Sequence, residues 1–273
     1  MPTHAELTPL LRRLRLSGVL ETLEVRNKQA IDERMSFVDF MAIVLQDEHE
    51  RREQKKLNLR LRRGALDPAK TMEVVNWEFN RSLNRRMWIE LSTCKFVEAK
   101  ENVLVVGPTG VGKSHLAQAL AHEACRRGYD VLFINASKLL QRLNGGRADG
   151  TYDRRLAALI KVDLLIIDDF GLKPVHPPGS EDLYEVVAER YERASTIITS
   201  NRSFEEWPQL FAEPLLASAA LDRLRHHAHV IVIEGKSYRG RTAEERLTKK
   251  TNGRHRPETG KSEEEVLEET AGR

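Results

Sequence analysis

Long apolar runs are missing from this 273-residue chain: none approaches the ~20 residues that a helix needs to cross a bilayer. A membrane-spanning helix is therefore not expected. Cysteine is nearly absent. Cys94 and Cys125 share no metal-ligand spacing with each other or with the nine histidines, which predicts two buried, reduced thiols and no disulfide. Aromatic residues make up 6% of the chain and do not interleave with its basic runs, so a surface built for stacking on single-stranded bases is poorly supported. Charge of one sign is also scarce. The formal net charge is only +3, and basic character must be local to matter. Residues 1–10 carry Glu6 and Pro9 in place of a signal-peptide core, and the expectation is a soluble, cytoplasmic protein without a membrane partner.

What the chain does have is periodicity. Leu7, Leu10, Leu11 and Leu14 line one face of a helix, with Gly18 as a stop. Ser36 and Asp39 can form a capping box for a long charged helix striped by Phe37, Phe40, Met41, Val44 and Leu45, and Gly64 and Pro68 end it. The pattern lapses over 71–79, and a further helix is expected over 82–97. From residue 102, apolar runs at 103–106, 131–134, 164–167, 196–199 and 230–233 alternate with helical stretches, as in a doubly wound parallel sheet covered on both faces. The predicted organisation is a small all-α N-terminal domain over 1–80 and an α/β domain with a five-stranded parallel sheet over 81–241. Residues 242–273 have almost no large apolar side chains and are expected to be a disordered tail.

Gly107, Pro108, Thr109, Gly110, Val111, Gly112, Lys113 and Ser114 fit G-x-x-x-x-G-K-[ST], directly after a strand and before an amphipathic helix carrying Leu116, Leu120 and Ala124, and with His115 they are the candidate nucleotide-binding residues. That context makes the match specific. Glycines let backbone N–H groups curl round phosphates, Lys113 supplies a cation for the β and γ oxygens, and Ser114 ligates Mg²⁺. The predicted ligands are ATP and Mg²⁺. Asp168 and Asp169 emerge at the carboxyl end of the strand over 164–167, where such sheets bind ligands. Asp168 is the metal-side carboxylate, and Asp169 is placed to orient or deprotonate an attacking water. The plainer alternative is an acidic turn at a strand end.

With GPTGVGKSHLA and LLIIDDFG, the stretches RYERASTIITSN, FEEW and SYRGR resemble the IstB and DnaC branch of the AAA+ ATPases, and the likeness is strongest to the IstB transposition helpers. It covers positions 5–241. The resemblance implies a P-loop AAA+ core, a homo-oligomer with ATP at subunit interfaces, double-stranded DNA as ligand and a transposase as partner. It implies that Asn201 is a polar sensor, Arg223 an arginine finger acting on a neighbour's ATP, and Arg239 a second sensor in cis. Local alternatives are a helix cap at Asn201, an ion pair from Arg223 to Asp222 or Glu213, and a solvated edge at Arg239. Two departures stand out. Most AAA+ proteins carry a glutamate where this chain has Asp169, and the usual helical lid after the last strand is missing.

Two basic sets are candidate DNA contacts. Arg51, Arg52, Lys55, Lys56, Arg60, Arg62 and Arg63 face only Glu53 within 51–63. Lys138, Arg142, Arg147, Arg154 and Arg155 surround a Gly145–Gly146 pair expected to be flexible. The alternatives are a solvated helix or a transposase-docking face. The leading reading is an ATP-dependent DNA-binding regulator of a transposase, an ATPase that hydrolyses ATP to ADP and phosphate. A DnaC-like helicase loader and a P-loop kinase or switch are the competing ones.

Overall fold

The structure, a computed structural model, describes residues 4–80, 82–235 and 237–238. Arg239 and the expected tail lie outside the described residues. Three helices come first: α1 (His4–Arg13), α2 (Ser17–Asp32) and α3 (Phe37–Arg63). Ser36 caps α3 as expected, its hydroxyl accepting from the Asp39 amide at 3.2 Å. Gly18 does not act as a stop. It sits inside α2, where an added Cβ would lie 2.7 Å from the Glu48 Cα, so this glycine allows α2 and α3 to approach closely. The helix expected over 82–97 is two, α4 (Arg85–Ser92) and α5 (Lys95–Glu98), because Cys94 between them adopts φ 61°.

The five strands are β1 (Asn102–Val106), β2 (Val131–Asn135), β3 (Leu164–Phe170), β4 (Ser195–Ser200) and β5 (Ala228–Val232). They form one sheet in the order β2-β3-β4-β1-β5, with every pairing parallel. Successive strand residues face opposite layers, and the two cores follow that alternation. Val103, Val105, Leu164, Ile166 and Ile197 join α6 (Lys113–Arg126) and the α4–α5 region. Leu104, Val106, Leu165, Ile167 and Ile198 join α7 (Ala136–Asp149), α8 (Tyr152–Ile160), α9 (Gly179–Arg190) and α10 (Pro214–Arg225). Each fully buried Val, Leu or Ile stabilises the fold by about 1.5–3 kcal/mol.

The helical N-terminal segment is fastened to the sheet. The Gly64 carbonyl accepts from the Phe133 amide at 2.9 Å at the β2 edge, and Leu57, Leu61 and Leu66 pack on the α6 layer. Helix α7 runs unbroken through Gly145 and Gly146, correcting the expected flexible pair. A Cβ on Gly146 would lie 2.9 Å from the Tyr152 Cα, so the glycines form a notch that seats α8. Both cysteines are free and buried, and burial pushes their thiols up to about 11 at Cys94 and about 12 at Cys125. Among the described residues, no helix is long and apolar enough to cross a membrane.

Candidate nucleotide-binding site

β1 ends in a loop whose glycines are required for different reasons. At Gly107, φ 150°, a Cβ would meet the Ile233 carbonyl oxygen at 2.1 Å, so the chain leaving β5 crosses directly over this residue. At Gly110, φ 88°, a Cβ would strike the Ser237 hydroxyl, while the Gly110 carbonyl accepts from the Tyr238 amide at 2.9 Å. Gly112 has open space around it but holds φ 101° as the N-cap of α6. The loop therefore delivers the N-terminal turn of α6, the end of a helix suited to anions, to the cleft. Lys113 is largely buried and its ammonium donates to the carbonyls of Gly107 at 2.7 Å and Pro108 at 2.8 Å, curling the loop around its own cation.

Thr109, Gly110, Val111, Gly112, Lys113, Ser114 and His115 line a cleft of about 480 Å³, a size that suits a nucleotide. Asp168, Asp169 and Asn201 line it too. Adjacent residues on a regular strand point to opposite faces, so two consecutive aspartates in one cleft need a cause. The β3–β4 register shifts between Ile167 and Phe170, and Asp169 takes φ 56°. This local bulge turns both carboxylates to the same side; aspartate is one of the few side chains that tolerate the left-handed conformation.

Thr199 joins the pair. Its hydroxyl donates to Asp168 Oδ1 and accepts from the Asp169 amide at 3.1 Å, while Asn135 Nδ2 donates to Asp169 Oδ2 at 3.2 Å. Neither Thr199 nor Asn135 stands out in the sequence, because each acts only through the folded geometry. Asp168 is 7% exposed, and its carboxylate shares the cleft with the Ser114 hydroxyl. A hard, oxygen-donating pair of this kind suits Mg²⁺. Asn201 follows β4 and is not a helix cap; that position belongs to Ser203, which forms a capping box with Glu206.

The apolar half of the cleft was not legible from sequence. Val74, Val75 and Phe79, from the stretch where periodicity lapses, line it together with Leu83 and Tyr238. Phe79 and Tyr238 meet edge to face, with ring centroids 4.7 Å apart. Arg223 is not among the cleft-lining residues. It lies on α10, donates to the Ala219 carbonyl at 2.9 Å, and stands over the rings of Tyr184 at 5.4 Å and Tyr191 at 6.0 Å.

The basic sets are partly committed within the chain. Arg51 pairs with Glu21, Arg52 with Glu48 at 2.6 Å, Lys56 with Glu53 at 2.7 Å, and Arg60 approaches Asp130 at 4.0 Å. Lys55, Arg62 and Arg63 are exposed. In the second set, Arg147 pairs with Asp182 and stands over the Tyr152 ring at 4.2 Å, and Arg155 donates to Asp149 and to the Arg142 carbonyl. Lys138, Arg142 and Arg154 are exposed.

The family model for the IstB-like ATP-binding proteins matches residues 9–246. The chain is 38% identical over 239 residues to an ATP-binding protein in an insertion sequence of Mycobacterium tuberculosis, covering 87% of this chain and 95% of that one. It is 36% identical over 234 residues to the ATP-binding protein of insertion sequence IS21 of Pseudomonas aeruginosa, covering 86% and 88%. Among solved structures, that of DnaI superposes with a TM-score of 0.52 at 24% identity, covering 60% of this chain and 90% of that one, a likeness of fold alone.

Proposed function

The chain belongs to the IstB-like ATP-binding protein family, and from that membership we propose that it is an AAA+ ATPase that assembles on duplex DNA and regulates a transposase's choice of target. The observation that carries the reading is the single cleft uniting the phosphate loop, two carboxylates and Asn201. The loop amides and the α6 N-terminus hold the triphosphate, and Lys113 exchanges its bonds to Gly107 and Pro108 for phosphate oxygens. Ser114 and Asp168 would hold Mg²⁺, which would supply positive charge against the phosphates. Asp169, fixed by Thr199 and Asn135, orients the attacking water and takes its proton, with Asn201 beside the terminal phosphate. Phe79 and Tyr238 offer an apolar wall to the base.

The relatives named for insertion sequences support a transposase as partner, and the exposed cations of α3 support phosphate contacts on duplex DNA. The test is phosphate release by the purified chain with and without duplex DNA. Duplex is expected to stimulate release, and Lys113→Ala to abolish both ATP binding and release. Unchanged nucleotide affinity in Lys113→Ala would refute the site, and release indifferent to duplex would refute the DNA-coupled function.

A further inference from the structure

A second cluster of ligating side chains lies at the opposite end of the sheet from the phosphate loop. Glu192 sits in the turn between α9 and β4, and His226 and His227 form the turn between α10 and β5. One ligand atom from each of the three lies within 4.8 Å of the others, and all three residues are exposed. We propose that Glu192, His226 and His227 bind one divalent transition-metal ion of the zinc type, at a site separate from the nucleotide cleft.

Two imidazoles and a carboxylate are a borderline-soft set that favours Zn²⁺, Co²⁺ or Ni²⁺ over Mg²⁺. Bonds of about 2.0–2.2 Å in a tetrahedron bring ligand atoms to roughly 3.3–3.5 Å from one another, against the 4.8 Å within which the three already lie. The backbone beneath is already pinned. The His227 carbonyl accepts from the Asn102 amide at 3.2 Å at the start of β1, and the Arg193 amide donates to the Arg190 carbonyl at 3.0 Å. Both Glu192, φ 57°, and His227, φ 53°, hold left-handed conformations that ordinary turns assign to glycine or asparagine.

An outer partner is also present. The Tyr191 hydroxyl lies 2.8 Å from His226 Nδ1, where it can fix the ring's orientation. The buried, protonated cysteines offer no competing thiolate among the described residues. Metal here ties the α9–β4 turn to the α10–β5 turn and so holds α10, whose Arg223 stands over the same Tyr191 ring.

The experiment titrates the untagged full-length protein with CoCl₂ in excess Mg²⁺, above the usual imidazole pKa of about 6.5. One equivalent is expected to bind with visible absorption of tetrahedral Co²⁺, to be displaced by Zn²⁺, and to raise Tm. His226→Ala and His227→Ala should each lower affinity by at least about tenfold, the loss that even an outer partner costs. Their ATP affinity should stay unchanged, which shows that the variants fold and separates this result from the reading of the cleft. Absence of stoichiometric Co²⁺ binding, or binding undiminished in both variants, overturns the proposal.

Discussion

Thr199 shows how much a single side chain can settle. Its hydroxyl is fully buried and serves two masters, donating to Asp168 and accepting from the Asp169 amide. Thr199→Val keeps the shape and strips both bonds, leaving a buried carboxylate oxygen and an amide unpaired, each at a cost of about 1–3 kcal/mol. If part of that misplacement is felt in the transition state, kcat for ATP hydrolysis falls by about 10- to 100-fold while KM changes little, and Thr199→Ser restores it. Steady-state kinetics on the three proteins check this; an unchanged kcat in the valine variant removes Thr199 from the site. The aspartates themselves were legible as a pair at a strand end. Their action at one site was read as well; the means was not, since strand alternation alone would separate them and only the bulge at Asp169 reunites them.

Helices α2 and α3 show the same limit at the level of elements. The stripe from Phe37 to Leu45 and the Ser36 cap announce α3, but α2 is concealed because Gly18 reads as a stop. Its role depends on Glu48, distant in sequence, whose carboxylate accepts from the Gly18 and Val19 amides at 2.6 and 3.3 Å and so caps α2 from α3. Burial pushes the Glu48 pKa up, yet the bonds from Arg52, Gly18 and Val19 outweigh it and hold the carboxylate below its usual range. Arg26 and then Thr22 hold Asp47 at about 2. Both carboxylates titrate lower in the folded protein than in the unfolded chain, so their stabilisation is complete above the unfolded values, near 4, and is lost as pH falls through the folded ones. Glu48→Gln should therefore lower stability at neutral pH, and the gap from the parent should close below about pH 4. Urea melts of both proteins across pH, followed by helical circular dichroism, measure that gap. The same helix presents Lys55, Lys56, Arg62 and Arg63 within a sector of about 120°, given 3.6 residues per turn. Replacing Lys55, Arg62 and Arg63 with glutamine should weaken duplex binding and flatten its salt dependence by up to about three counterions' worth. A salt slope equal to the parent's would reassign this face to protein contacts.

For the whole molecule, the family likeness rests on motifs that the fold brings together. Phe170 of LLIIDDFG packs on Trp207 of FEEW with centroids 4.8 Å apart, and SYRGR begins by lying on Gly110. Five strands were readable because runs of Val, Leu and Ile serve two buried faces at once; β5 starts two residues earlier than its apolar run, since an edge strand needs fewer such residues. Arg223 belongs to this scale. It is absent from the lining of its own cleft, so the proposed action on ATP would fall on a neighbouring subunit's nucleotide. Arg223→Ala should then leave ATP affinity intact and lower hydrolysis by about 10³-fold or more, as loss of an arginine finger does. Asp169→Asn, which keeps a residue that tolerates the left-handed backbone, should also bind ATP without turning it over. In a mixture of the two inactive variants, some interfaces combine an intact Asp169 with an intact Arg223 from the adjoining subunit. Those interfaces should recover hydrolysis in proportion to their statistical share, with a maximum near equal amounts. Activity that stays at the level of the separate variants at every ratio would place Arg223 outside the reaction and leave its stacking on Tyr184 and Tyr191 as its whole role.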